Sequence, residues 1–208
     1  MLLDYGGVLT SSVTGSFAAF CRAEGIDVDI FRTVVLDAAR SADSMFHAVE
    51  VGKIDQDEFD RLLAKTISKA TGKQVDPAGL KQRLFAGSMR DEEMMKAVRR
   101  IRAGGIKTAL VSNSWGGADY PRELFDGLFD ASIISGEVGL RKPNADIYLL
   151  AASRVELDPS ECVFVDDFQI NVRGAEAVGM RGIHHHDTLE TIRELEDIFG
   201  VDVSGGTD

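Results

Sequence analysis

The stretch CVFVDDFQINVRGAEAVGM, residues 162–180, decides the architecture. Its first four residues, Cys162 to Val165, form an apolar run too short for a helix and without polar alternation, which predicts a strand buried on both faces. The run ends abruptly in Asp166-Asp167. A helical pattern follows, with Ile170, Ala175 and Val178 on one face and Gly179 as the stop. The same unit recurs along the chain. Met1 to Leu3 ends in Asp4, Thr108 to Val111 ends in Ser112-Asn113, and Ser132 to Ile134 leads through Gly136 and Gly139 to Lys142-Pro143. A weaker run surrounds Gly182 and Ile183. Between the runs lie helical patterns at Met94, Val98 and Ile101, stopped by Gly104-Gly105, and at Ile147, Leu150 and Ala151 behind Pro143. The segment TLETIRELEDIF, residues 188–199, reads as a closing amphipathic helix. Strand and helix in alternation predict an α/β fold, a doubly wound (Rossmann-like) parallel sheet.

One interval breaks the rhythm. The first strand and the second are separated by far more chain than a crossover needs. From about Ser12 to Phe85 the pattern is helical throughout, at Phe17, Phe20 and Cys21, at Phe31, Val34 and Val35, and at Phe59, Leu62, Leu63 and Thr66. Punctuation falls at Gly25, Gly52 and Gly72. The expected organisation is therefore a core made of residues 1–11 and 86–208, with an inserted all-helical cap over 12–85. The tail Val203 to Asp208 is expected to fray.

Composition narrows the function. The 208 residues are 44% hydrophobic and 27% charged, enough to build a real core. No stretch approaches the roughly 18 apolar residues of a membrane-spanning helix. Thirty-four acidic against 23 basic residues give a net charge of -11, which repels phosphate backbones in the absence of a basic cluster, so no nucleic-acid partner is expected. Cys21 and Cys162 lie far apart, which argues against a disulfide framework or a zinc site. No secretory signal pattern opens the chain, and a cytoplasmic protein is expected. Nothing in the sequence demands more than a monomer or a weak homodimer.

In a doubly wound sheet, ligands sit beyond the carboxyl ends of the strands. The polar ends of the predicted strands bring Asp4, Ser112, Lys142, Asp166 and Asp167 to one crevice. Three carboxylates repel one another unless a cation joins them, and an all-oxygen site suits Mg²⁺. The run His184-His185-His186 also invites a metal reading. Neighbours on a strand face opposite ways, however, so a strand edge running into a loop explains it better.

Four segments, LLDYGGVLT (2–10), TALVSNS (108–114), GLRKPNADIYLLA (139–151) and CVFVDDFQINVRGAEAVGM, resemble in order the four motifs of the haloacid dehalogenase superfamily of hydrolases. The inserted helices look like that family's cap of the first type, and Gly52, Ile54 and Phe59 in GKIDQDEF resemble a turn and helix often found there. The resemblance implies a Mg²⁺-dependent phosphatase acting on a small phosphorylated metabolite. Asp4 is then the nucleophile, forming an aspartyl-phosphate, a task suited to a carboxylate that is ionised without help from a base. Mg²⁺ is implied on Asp4, the Gly6 carbonyl and Asp167, with Asp166 binding through water or orienting the site. Ser112, Asn113, Gly7 and Lys142 are implied in holding the phosphoryl group, and Asn171 in bracing the last loop.

One position departs from the family pattern. Most of its phosphatases carry a second aspartate two residues after the nucleophile, as acid and base for the leaving group and the water. Here that residue is Gly6. Losing such a group costs about 10²–10⁴ in rate. Three readings follow: a phosphatase for leaving groups that need little protonation, or one with a substitute acid such as His47; a degenerate fold that binds a phosphometabolite or a protein without turnover; and a 2-haloacid dehalogenase. The last requires no proton on the leaving halide, but the family's dehalogenases do not usually keep an adjacent acid pair like Asp166-Asp167. Trp115 is read either at the entrance or packed under the cap. Phe17, Phe20 and Met45 are read as cap core ahead of substrate contacts.

Overall fold

A computed structural model describes residues 1–41, 44–115 and 120–202. The tail from Val203 onward, expected to fray, lies outside them. Five parallel strands form one sheet in the order β3-β2-β1-β4-β5: β1 (Leu2–Leu3), β2 (Ala109–Ser112), β3 (Ala131–Ile134), β4 (Val163–Asp166) and β5 (Arg181–His184). All five coincide with the apolar runs. The order reverses beside β1, which pairs with β2 on one side and β4 on the other, so the switch point that favours ligand binding lies at the ends of β1 and β4. Leu3 is in register with Val165, which sets Asp4 opposite Asp166.

Alternation along the strands builds two cores. Leu3, Leu110, Val163 and Val165 face one side, packed with Met94, Val98, Ile192 and Leu195. Leu2, Ala109, Val111 and Phe164 face the other, packed with Ile147, Tyr148, Ala151 and Ala175. The covering helices follow from that division.

Five helices are inserted behind β1: α1 (Val13–Glu24), α2 (Val28–Arg40), α3 (Met45–Glu50), α4 (Gln56–Thr71) and α5 (Leu80–Phe85). Then come α6 (Glu92–Ala103), the short α7 (Ser135–Val138), α8 (Ala145–Arg154), α9 (Gln169–Glu176) and α10 (Thr188–Phe199). Side chains of Asp27, Ser44, Asp55, Asp91 and Asp187 cap the starts of α2, α3, α4, α6 and α10. The inserted helices bury a core of their own, including Phe20, Phe31, Phe59, Leu63 and Ile67. The segments leading in and out run side by side: Thr10 bridges Arg90 in antiparallel fashion, and the Ser11 amide donates to the Met89 carbonyl. Among the described residues no helix is long and apolar enough to cross a membrane.

One expected core residue is displaced. Ile170 is 64% exposed, because α9 starts at Gln169 and turns Asn171, Val172 and Ala175 inward instead. That face packs tightly: a Cβ on Gly174 would sit 2.7 Å from the Pro143 carbonyl oxygen and 2.9 Å from the Tyr148 hydroxyl. Gly174→Ala is expected to overpack this contact by about 1–3 kcal/mol and lower Tm by about 2–12 °C in a thermal melt.

Candidate active site

The ends of β1 and β4 carry the acids, and a lysine from another loop joins them. Asp4 Oδ1 accepts from the Tyr5 amide at 2.7 Å and lies 2.9 Å from the Lys142 ammonium. That ammonium also meets Asp166 Oδ2 at 2.6 Å, with both side chains fully buried. Asp166 is occupied on both oxygens: Oδ1 accepts from the Phe168 amide, and the Asn171 amide donates to Oδ1 at 3.0 Å and Oδ2 at 3.2 Å. Asn171 is itself held, since the Tyr148 hydroxyl donates to its carbonyl at 2.8 Å. Asp166 thus orients Lys142 and closes its own loop, and Asn171 braces it.

Asp167 differs from its neighbour. Its Oδ1 is buried without a hydrogen-bond partner. Oxygens of Asp4, Asp166 and Asp167 lie within 4.8 Å of one another, the cluster among the described residues that suits a metal ion. Three carboxylates and one ammonium leave two negative charges, matched by one divalent cation. Burial raises the pKa of Asp4 to about 6, with Asp166 adding to the rise and Lys142 opposing it. Burial, then the charges of Asp4 and Asp166, raise Asp167 to about 7. For Lys142, burial alone would lower the pKa, but Asp166 and Asp4 more than offset it and raise it above the ordinary value. The orphan oxygen, the all-oxygen donors and the uncompensated charge together fit a hard divalent cation.

The turn after Asp4 is shaped around this cluster. Gly7 has φ +80°, and a Cβ there would come 2.2 Å from Asp167 Oδ2, so glycine is required. Its amide donates to Thr10 Oγ1 at 3.2 Å. A Cβ on Gly6 would meet a Val13 methyl at 3.2 Å, a tight approach at the start of α1 that a shift of a few tenths of an ångström would relieve.

The other sequence-predicted residues find distinct places. The Asn113 amide is engaged at both ends with the main chain of Lys142: Nδ2 donates to its carbonyl at 3.1 Å, and Oδ1 accepts from its amide at 2.9 Å. Ser112 ends β2 with its hydroxyl 2.8 Å from that of Tyr120. Trp115 packs under the cap instead of standing at an entrance, its ring 5.0 Å from Phe46, 5.3 Å from Phe59 and stacked on Phe17 at 5.9 Å. Phe17, Phe20 and Met45 belong to the same apolar cluster. His47, on α3, feels the charges of Arg141 and Glu50, and burial lowers its pKa; among the described residues no contact joins it to the acids. The histidine run splits as strand geometry requires. His184 donates from Nε2 to the Asp167 carbonyl, the His184 and His186 rings touch, and His185 turns inward to Thr191.

Sequence reasoning missed several residues. Tyr120 and Val13 carry no motif signal, and Tyr148, though inside the third motif segment, gave no sign of its contact with Asn171. Glu50, on the cap, forms an ion pair with Arg141 at 2.5 Å, one residue before Lys142. A cavity of about 450 Å³ opens beside Gly7 and Asp167, lined also by Thr10, Thr14, Phe168, His186 and Thr188.

The topology, the inserted helices and the acid cluster define a hydrolase of the capped α/β type. The family model described as haloacid dehalogenase-like hydrolase matches residues 1–179, and the chain belongs to that family. A sesquiterpene phosphatase of Aspergillus oryzae is 30% identical over 159 residues, 73% of this chain and 77% of that one. The bifunctional epoxide hydrolase 2 of Rattus norvegicus is 30% identical over 144 residues; the match takes in 64% of this chain but 26% of that protein, about a quarter of its length. Among solved structures, a HAD family enzyme from Bacteroides thetaiotaomicron, in complex with magnesium and inorganic phosphate, shares the fold with a TM-score of 0.63 at 20% identity, covering 91% of this chain and 96% of that one.

Because Lys142 is the buried counter-ion of this cluster, Lys142→Met is expected to destabilise the protein by about 3–5 kcal/mol at pH 8. At pH 5 the loss shrinks, since Asp4 and Asp167 then carry protons and no longer need the ammonium. Urea denaturation at the two pH values measures the difference.

Proposed function

We propose that this chain is a Mg²⁺-dependent phosphomonoester hydrolase that works through an aspartyl-phosphate on Asp4. One observation carries the reading: three carboxylates meet within 4.8 Å, two of them paired with one buried ammonium and the third holding an orphan oxygen. The phosphatase among the relatives supports it. In this reading the division of the chain is a core of residues 1–11 and 86–208 and a cap of 12–85.

Asp4, the Gly6 carbonyl and Asp167 are the residues that would hold the ion, with Asp166 as orienter. When bound, Mg²⁺ supplies charge neutralisation between the attacking carboxylate and the phosphate dianion and polarises a phosphoryl oxygen. Lys142 and the Tyr5 amide hold Asp4 by Oδ1, leaving Oδ2 for the attack. Asp4 forms a bond to phosphorus as the bond to the leaving oxygen breaks, and water later releases inorganic phosphate and restores the carboxylate. Lys142 and the Ser112 hydroxyl stabilise the transferring group. The cavity of about 450 Å³ beside Asp167 receives the rest of a small phosphorylated metabolite.

With Gly6 and Val13 in place of an acid, the leaving oxygen departs with little protonation. Preferred substrates are therefore acyl, aryl or anomeric phosphates. The same feature favours a second reading, a phosphometabolite-binding protein without turnover. The acid pair Asp166-Asp167 weighs against dehalogenation, since a negative cluster repels an anionic haloacid.

Hydrolysis of p-nitrophenyl phosphate is expected to require Mg²⁺, to exceed that of glycerol phosphate by about 10²-fold, and to fall at least about 10³-fold in Asp4→Asn. Absence of hydrolysis in the wild type, with phosphate still bound, would establish the binding reading instead.

The raised acids also set a pH dependence. Without metal, the folded protein holds protons on Asp4 and Asp167 that the unfolded chain releases near pH 4, so their contribution to stability is lost as pH rises through about 6 and 7. Asp4 and Asp167 would have to release those protons to hold Mg²⁺. Its stabilisation of the fold is expected to grow from pH 5.5 to 8, with apparent affinity rising about tenfold or more, as read by calorimetric titration and thermal shift.

A further inference from the structure

The Ser112 hydroxyl stands at the end of β2, next to the strand that carries Asp4, and is 3% exposed. Its partner, Tyr120, stands eight residues further along the chain. Their oxygens are 2.8 Å apart, and either could donate. The Tyr120 ring is fixed by its neighbours: Tyr5 meets it edge-on at 5.3 Å, and Phe125 lies tilted at 6.1 Å. Tyr5 follows the nucleophile directly, so the ring that sets Tyr120 belongs to the turn that presents Asp4.

Each hydroxyl has one proton, and the direction of this bond decides where the Ser112 proton goes. If Ser112 donates to Tyr120, its proton is lost to a phosphoryl group. If Tyr120 donates, Ser112 is satisfied as acceptor and its own proton points elsewhere. The phenol is the stronger acid of the two and the better donor. Burial, with the charge of Asp4 acting in the same sense, keeps it protonated despite the opposing bond from Ser112.

We infer that Tyr120 is a positioning residue that donates to Ser112 and thereby aims the Ser112 proton at the phosphoryl group on Asp4. The inference rests on the phosphatase reading. A donor that itself accepts a hydrogen bond is polarised and strengthened, so the pair acts as a two-membered relay. With no acid at position 6, the fixed donors around the phosphoryl oxygens carry more of the transition-state stabilisation.

Tyr120→Phe removes one oxygen and retains the ring contacts with Tyr5 and Phe125. With p-nitrophenyl phosphate and Mg²⁺, kcat is expected to fall about tenfold while KM stays within about twofold. Inhibition by orthovanadate, a mimic of the transferring phosphoryl group, is expected to weaken by a similar factor. The deciding comparison is the double variant. Ser112→Ala is expected to lower kcat about 30-fold or more, and Tyr120→Phe on that background to lower it no further. Additive losses, or wild-type kinetics in Tyr120→Phe, overturn the inference while leaving the phosphatase reading intact. If Asp4→Asn keeps full activity, the reading fails and the inference with it. If the wild type binds orthovanadate without turnover, the vanadate affinities of the same three variants decide: non-additive weakening upholds the relay, and unchanged or additive affinities overturn it.

Discussion

The arrangement depends on a single buried ammonium. Lys142 lies between Asp4 and Asp166 with no exposed side-chain surface. A cation is taken out of water at high cost unless carboxylates meet it at good geometry, and these carboxylates repel each other unless a cation lies between them. Each group makes the burial of the other tolerable. The supports extend outward: Asn113 grips the main chain of Lys142, Asn171 grips Asp166, and Tyr148 grips Asn171. Helix α9 approaches close enough for these contacts because Gly174 offers no side chain. The second core of the sheet and the acid cluster are thus one packed unit. What stays uncompensated is the side facing Asp167, and that is where the remaining negative charge and the orphan oxygen are found.

The cap is fastened unevenly. Trp115, a core residue, inserts its indole among Phe17, Phe46, Phe59 and Phe85 of the cap, and such ring pairs add about 0.5–1.5 kcal/mol each beyond their burial. Close by, Glu50 meets Arg141 in a largely buried ion pair, and a Cβ on Gly52 would lie 3.0 Å from the Gly136 carbonyl oxygen. All of these lie over the ends of β2 and β3. Over β4 and β5 the surface instead opens into the cavity beside Asp167. Attachment on one side and an opening on the other give the crevice a direction, from Asp167 toward Phe168 and Thr188.

The fold was legible because buried parallel strands write themselves as unbroken apolar runs, and their polar ends name the crevice. Asp4, Lys142, Asp166 and Asp167 come together as those ends predicted. Asn171, read as a brace, does brace Asp166. What the sequence hid was the use made of polar atoms at the site. Asn113 looks like a ligand-binding residue in the string SNS, yet backbone groups engage both ends of its amide. Trp115 sits three residues beyond Ser112 and belongs to the cap's core, since an aromatic ring near a site follows the largest apolar surface available. Ile170 lost the buried face because it stands five residues before Ala175, roughly 140° round the helix at 3.6 residues per turn, whereas Asn171 stands four before it. Tyr120 and Val13 could not be found at all, for contacts between distant loops leave no periodic trace.

Val13 links the chemistry to the cap. It opens α1, and its methyl group stands 3.2 Å from where a side chain at position 6 would begin. Glycine there eases a tight contact with the first inserted helix as well as leaving the position without an acid. An aspartate in its place would ask the Val13 side chain to give by a few tenths of an ångström, on a helix that the aromatic cluster holds through Phe17. The glycine beside Asp4 and the first inserted helix thus share a close contact. In the phosphatase proposed above, a proton donor at position 6 would be worth about 3–5 kcal/mol of barrier, and without one the difference falls on the leaving group. On that proposal, selectivity for a weakly basic leaving oxygen would follow from the missing acid at position 6, independent of any residue that recognises the substrate.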